Sequence, residues 1–190
     1  MPETLTTTVQ AVHQDRDHRF SKQAVPTIVL QSGLGVVGDA HHGAKVQHRS
    51  RVKTNPDQPN LRQVHLISAN LFAHLATLGF QVQAGQLGEN ITLTDTADLD
   101  WHALISLPVD TQLKFAQGPV LQLTGLRNPC VQIDNYQKGL LAAMLDKTAD
   151  GQWVRKTGVM AVVLQGGTVQ SGDRVTVQLP AAPHRPMERV

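Results

Sequence analysis

The sequence predicts a mainly β protein of the α+β kind, with a barrel-like core and a few short helices. Many short runs of β-branched and apolar residues are separated by glycine-rich turns, as in sheets built from short strands. Two modest stretches have helical spacing, and no alternation of strand and helix favours a doubly wound sheet. With 190 residues, 41% hydrophobic and 17% charged, we expect one domain over residues 1–190.

In the first half of the chain, threonines and valines predict a strand over residues 5–12, and a proline opens a second strand at residues 26–30. Residues 62–67 alternate polar and apolar side chains, as a half-buried strand does. A helix follows, capped by Ser68 and ended by Gly79. Its apolar residues recur every three or four positions: Leu71, Phe72, Leu75 and Leu78.

In the second half, a strand is predicted over residues 86–93, and the acidic residues 95–104 hold a short helix. The strand that ends at residues 120–123 leads towards the cysteine described below. Residues 139–145 form a short apolar helix. The run 158–164 has the strongest strand character and is expected in the core.

The chain has a single cysteine, Cys130, which follows a strand on a stiffened loop. Gly125 permits a kink or bulge in that strand. Pro129 keeps Asn128 extended, so that the chain does not run on as helix into Cys130. The fixed charge of Arg127 favours the thiolate, which is the form that ligates metals and carries sulfur. The alternative is an inert cysteine that fills space.

Charge is nearly balanced overall, at +2, but it is uneven along the chain. Residues 41–65 contain five lysines and arginines and four of the nine histidines, against Asp57 as the only acid. Such a segment suits a small anionic ligand, or is a solvated basic loop. The mild net charge and 4% aromatic content argue against nucleic-acid binding.

A second turn, at residues 38–42, carries polar residues that could serve a binding site. Gly38 and Asp39 predict a tight turn in which the Asp39 carboxylate accepts from backbone amides two residues on. His41 and His42 are adjacent, so in an extended segment they face opposite sides and do not easily share a metal, although either suits an oxyanion. The preceding glycines lack the G-x-G-x-x-G spacing of a dinucleotide site.

The third turn contains Glu89, one of three glutamates in the chain, and Asn90. A carboxylate and an amide at this place match the donors and acceptors of a pterin edge. The alternative is a turn in which both side chains bond to nearby backbone.

Taken in order, Gly38-Asp39-Ala40-His41-His42-Gly43, Gly88-Glu89-Asn90-Ile91 and Thr124-Gly125-Leu126-Arg127-Asn128-Pro129-Cys130 resemble the motifs of the MOSC domain family. The name refers to the C-terminal domain of molybdenum cofactor sulfurases. The resemblance extends over about residues 33–179, and leaves residues 180–190 as a frayed tail. It is the small standalone bacterial form that the chain resembles.

The resemblance implies a β-barrel-like fold and the molybdenum cofactor (molybdopterin), a pterin dithiolene with a phosphate. It implies that Cys130 ligates molybdenum or carries sulfur as a persulfide, and that Arg127 supports its charge. The remaining motif residues would shape or border the pocket: Gly38, Asp39, His41, Glu89 and Asn90. Arg49, Arg62 and Lys156 are candidates for the phosphate, chosen by charge alone.

Three functions remain open at this point: a molybdenum enzyme that reduces N-hydroxylated compounds, a carrier of cofactor or sulfur, and an anion-binding protein with a structural cysteine. An electron-donor or sulfur-donor protein would be the partner of the first two. Pyridoxal phosphate is not expected, because 190 residues leave no room for the aminotransferase-like domain of the large sulfurases. One cysteine, no signal sequence and no long apolar run predict a cytoplasmic protein without a membrane partner.

Overall fold

The computed structural model describes residues 5–190, except for the side chains of Arg49 and Ser50. It contains thirteen strands: β1 Thr6–Gln14, β2 Gln23–Val25, β3 Thr27–Gln31, β4 Gly35–Val36, β5 Val64–Ser68, β6 Ile91–Leu93, β7 Gln112–Phe115, β8 Val120–Leu126, β9 Leu145–Lys147, β10 Trp153–Arg155, β11 Val159–Gln165, β12 Gly167–Gln170 and β13 Arg174–Gln178. The five helices are α1 Arg49–Thr54, α2 Asn70–Thr77, α3 Trp101–Ser106, α4 Val131–Tyr136 and α5 Leu140–Ala143.

Seven strands close into a barrel in the order β13-β7-β8-β11-β5-β6-β1, and β1 pairs with β13 to complete the ring. A register shift between Val9 and Ala11 divides β1, so that its first half pairs with β13 and its second half with β2. Side chains that alternate along the strands fill the barrel interior with Val, Leu and Ile. The predicted fold class, mainly β with a barrel-like core and short helices, is confirmed.

The central strand β5 is buried along its whole length, and the prediction of a half-buried strand is wrong. It pairs with β11 on one side and, in parallel, with β6 on the other. Leu66 faces the barrel core, whereas Ile67 packs in a second apolar cluster with Leu71 and Leu75 of α2. Because both faces of β5 are covered, its sequence need not alternate.

Helix α2 forms where the apolar spacing predicts it, but its start differs. Ser68 does not cap the helix: it is the last residue of β5, and its hydroxyl donates to Asn70 Oδ1 at 3.1 Å. Leu71 and Leu75 are buried, whereas Leu78 follows the helix and is 50% exposed. The helix therefore covers β5 with one narrow apolar face.

The C-terminal residues pack against the barrel, and the prediction of a frayed tail is wrong. The amide of Leu126 donates to the carbonyl of Glu188, and the amide of Val190 donates to the carbonyl of Leu126. Gly125 makes this approach possible, because a Cβ there would overlap the Glu188 carbonyl oxygen and lie 2.6 Å from Val190 Cγ1. A register shift at this point gives the bulge that Gly125 predicts. Across residues 5–190, no helix has the length and apolar character to span a bilayer.

Candidate functional site

The end of β8, the loop after β1 and the turn before β6 surround a cavity of about 350 Å³, here called the Cys130 cavity. Its wall carries eight basic or imidazole side chains: His18, Arg19, Lys22, His41, His48, Arg62, His65 and Arg127. Among the described residues, no aspartate or glutamate lines it. The cavity therefore has a positive field that favours anions.

Cys130 lies half-buried in this wall. Strand β8 delivers the chain to Pro129, and Cys130 has extended backbone angles (φ −134°, ψ 168°) immediately before α4. The helix therefore begins after Cys130, as Pro129 predicts. Cys130 Sγ lies 3.6 Å from Gln132 Oε1, a weak contact that leaves the sulfur accessible to the cavity.

Arg127 is held beside Cys130 by two contacts. Its Nη1 donates to the carbonyl of Leu87 at 2.8 Å, and its guanidinium lies 5.8 Å from the ring centre of Phe20. Burial lowers the pKa of Arg127, although the nearby Cys130 and Glu89 oppose the shift. Arg127 therefore supplies a positioned positive charge with donors still available.

Asp39 lies behind the cavity wall and forms hydrogen bonds and a salt bridge with residues of that wall. Its carboxylate pairs with Lys22, and the two side chains are 1% and 5% exposed. It also accepts from Asn90 Nδ2 at 3.1 Å and from the amide of His41 at 3.0 Å, which confirms the predicted turn. Burial alone would raise the pKa of Asp39, but the hydrogen bonds from His41 and the Lys22 ammonium hold it well below its usual value. Asp39 thus fixes three residues that line the cavity.

The histidines next to Asp39 face different ways. His41 lines the cavity, and its Nδ1 lies 3.2 Å from Asp39 Oδ1, whereas His42 Nε2 contacts Gln31 Oε1 at 2.9 Å. The ring centres of His41 and His48 are 4.4 Å apart. Burial lowers the pKa of both His41 and His48, which favours their neutral forms, although the Asp39 carboxylate opposes the shift at His41.

Arg62 is the cation with the least compensation. Its Nε is buried and has no hydrogen-bond partner within the described part of the chain. Burial, followed by the nearby Arg127 and Arg51, lowers the pKa of Arg62 to about 10. This buried donor is open to an acceptor from a ligand or a water molecule in the cavity.

The structure brings together Cys130, Arg127, His41, Arg62 and Asn90 from the sequence-predicted residues. The Asn90 amide is satisfied within the protein: Nδ2 donates to the His13 carbonyl as well as to Asp39, and Oδ1 accepts from the His65 amide. Asn90 therefore shapes the wall rather than offering free groups to a pterin.

The other candidates do not reach the cavity, or their position is not described. Gly38 is an exposed turn residue, and the Arg49 side chain lies outside the described residues. Lys156 is buried elsewhere, where its Nζ contacts His74 Nε2 at 3.4 Å and Asp146 Oδ2 at 3.6 Å. The sequence suggests Lys156 only because of its positive charge, and charge does not determine where a side chain lies in the fold.

Glu89 is fully buried and does not line the cavity. Its Oε1 accepts from the Gly85 amide and from Thr92 Oγ1, while Oε2 has no partner among the described residues. Burial raises the pKa of Glu89. Its contacts match the turn alternative, in which the side chain bonds to nearby groups.

Sequence reasoning missed the loop that follows β1. His18, Arg19, Phe20 and Lys22 all line the Cys130 cavity, and none of them has a role predicted from the sequence. The sequence feature that could have identified these residues is a basic loop between two strands, which by itself is weak evidence for a binding site. Another missed residue, His65, is buried on β5, where its Nε2–H donates to the Thr157 carbonyl at 2.7 Å.

The family comparison matches residues 38–176 to the MOSC domain. A comparison with curated proteins gave no significant match. Among solved structures, the YuaD protein from Bacillus subtilis has a TM-score of 0.74 at 22% identity, covering 95% of this chain and 100% of that one. YiiM from Escherichia coli has a TM-score of 0.62 at 14% identity, with 95% and 73% covered. At these identities the two structures establish a shared fold.

Proposed function

This chain belongs to the MOSC domain family, and from that premise we propose that it binds the molybdenum cofactor in the Cys130 cavity, with Cys130 as a ligand of molybdenum. MOSC proteins are in general related to the molybdenum cofactor. The observation that carries the proposal is a half-buried thiol that opens into a cavity of about 350 Å³ whose charged side chains are all basic.

The residues present fit the cofactor in three respects. The volume lies in the range of small-molecule sites, roughly 300–1,000 Å³. The partnerless Nε of Arg62 and the basic wall suit a phosphate. Cys130 is a soft ligand, and since it is the only cysteine, further sulfur ligands would come from the dithiolene itself.

Individual residues would hold different parts of the ligand. Arg62 would bind the phosphate, helped by Arg19, which also pairs with Asp17 at 2.8 Å, and Arg127 would offset negative charge near Cys130. Lys22 adds positive charge but already pairs with Asp39. Phe20 and Val131 supply apolar contact for a planar ring.

When bound, the cofactor would supply a metal that takes up an oxygen atom in a two-electron reduction. Reducing an N-hydroxylated compound to the amine consumes two electrons and two protons and releases water. His41 is the residue placed to handle a proton, because its Nδ1 faces the Asp39 carboxylate and leaves Nε2 as the second site. The electrons would come from a partner protein.

Elemental analysis tests the proposal on protein made in a host with intact cofactor synthesis. We expect molybdenum near one atom per chain in the parent protein and its loss in Cys130→Ser, with the thermal midpoint nearly unchanged. Asn135→Ser, on the exposed part of α4, is the matched control and should retain the metal. A Cys130→Ser protein that is badly destabilised but keeps molybdenum would show a structural cysteine instead.

A sulfur carrier is the second candidate, favoured by the single weak contact of Cys130 Sγ with Gln132. In that case the thiol would hold a sulfane sulfur rather than a metal. Purified protein would then release thiocyanate on treatment with cyanide, and Cys130→Ser would release none. Molybdenum without cyanide-releasable sulfur supports the first candidate.

A further inference from the structure

A second cavity, here called the arginine pocket, adjoins the Cys130 cavity and has a volume of about 330 Å³. Arg62 lines both cavities. One part of the pocket wall is apolar, formed by Val46, Pro59 and Leu61. The other part carries three guanidinium groups, from Arg51, Arg62 and Arg189. Gln58 and Val190 complete the lining, and among the described residues the terminal carboxylate of Val190 forms no salt bridge with these arginines.

These three charges have no ionic partner within the part of the chain that the structure describes. Arg62 Nε is in addition buried without a hydrogen-bond partner there. Burial lowers the pKa of Arg62 most, and the nearby Arg127 and Arg51 lower it further. The Arg51 and Arg62 guanidinium groups therefore repel one another, and an anion that binds between them relieves the repulsion.

We propose that the arginine pocket is a second ligand site, which binds a carboxylate attached to a small apolar body. Guanidinium groups bind carboxylates through paired, charge-assisted hydrogen bonds. A bare inorganic anion would use the arginines but leave Val46, Pro59 and Leu61 uncovered, whereas an apolar body buries them. The Cys130 cavity has a further cation, Arg127, which forms no salt bridge among the described residues, so the two sites need not compete.

The position of Arg62 links the pocket to the neighbouring site. If the Cys130 cavity reduces N-hydroxylated compounds, the arginine pocket would favour substrates that carry a carboxylate at their far end. This extension rests on the proposed function, whereas binding of the carboxylate itself does not.

Isothermal titration of the purified protein tests the site, with 2-naphthoate as the probe and 2-naphthamide as its neutral counterpart. We expect naphthoate to bind at least about tenfold more tightly, because the amide has no charge for the arginines. Arg189→Gln, at an exposed residue, should weaken naphthoate binding about tenfold without lowering the thermal midpoint. The matched control is Arg19→Gln, which removes a guanidinium from the other cavity and should leave naphthoate binding unchanged.

Equal affinities for naphthoate and naphthamide would overturn the proposal, as would a loss in Arg19→Gln with none in Arg189→Gln. Leu61→Ser gives a second measure, since it should weaken naphthoate by removing apolar wall. Molybdenum content separates this site from the proposed function. Arg189→Gln should keep the metal, and Cys130→Ser should lose the metal but still bind naphthoate.

Discussion

Replacing Asp39 by Asn should destabilise the protein strongly, although Asp39 does not itself line the Cys130 cavity. The change keeps the size of the side chain but removes its charge. Lys22 is then left 5% exposed without its direct counter-ion, and the acceptor for the His41 amide is weakened. The cavity wall should loosen where Lys22, His41 and Asn90 meet.

The magnitude follows from the burial of the pair. Removing one partner of a buried ion pair costs about 3–5 kcal/mol, because the remaining charge is unsolvated. The carboxylate of Asp15 still attracts Lys22, so we expect the lower part of that range. For a chain of this length the fall in thermal midpoint would be about 6–20 °C.

Urea denaturation at pH 7, followed by circular dichroism, measures the effect, and molybdenum content reports on the cavity. Asp57→Asn is the matched control, since its carboxylate and its partner Lys45 are 76% and 64% exposed and should contribute less than about 1 kcal/mol. The double variant Lys22→Met, Asp39→Asn should recover much of the loss. A single variant no less stable than the control, or a double variant no better than the single, would refute this reasoning.

Three further outcomes are expected. Gly125→Ala should lower the free energy of unfolding by about 1–3 kcal/mol in a urea titration, because its methyl group would overlap the tail at Glu188. The pKa of His13 is lowered to about 4 by burial and then by Lys22, so unfolding takes up a proton below pH 6.5. Stability should therefore fall as the pH drops from 6.5 towards 4, by up to about 3 kcal/mol, and less steeply in His13→Gln. Glu89→Gln should retain both stability and molybdenum at pH 7, because Oε1 still accepts from Gly85; loss of the metal would instead favour a direct role for Glu89.

Local chemistry accounts for what the sequence predicts correctly. Pro129 and Gly125 act on their immediate neighbours, so the end of β8 and the extended backbone at Cys130 follow from them. The Asp39 turn is also local, with donor and acceptor two residues apart. Helix α2 is also predicted correctly, because the spacing of Leu71 and Leu75 is a local pattern within the helix.

Tertiary packing accounts for the errors. The alternating pattern at residues 62–67 is misleading because α2, the next element in the chain, folds back over the outer face of β5, and the sequence does not specify that packing. The tail is ordered by Gly125, which lies more than sixty positions earlier in the chain. Lys156 has the right charge for a phosphate, but β10 and α2 place it against His74 instead. Position depends on pairing across the barrel, which a single sequence does not specify.

The arrangement of charge explains why an acidic motif residue belongs to an anion-binding site. If Asp39 lined the cavity, it would repel a phosphate or a dithiolene. Because it lies behind the wall, it instead holds Lys22 and keeps the proton on His41 Nδ1, and one negative charge offsets one of the positive charges. Among the described residues, Arg62 and Arg127 form no salt bridge, and an anion that binds in the cavity relieves the repulsion between them. Asp39 thus holds the cavity wall in place while the cavity keeps a net positive charge. That charge favours the binding of an anionic cofactor beside the Cys130 thiol.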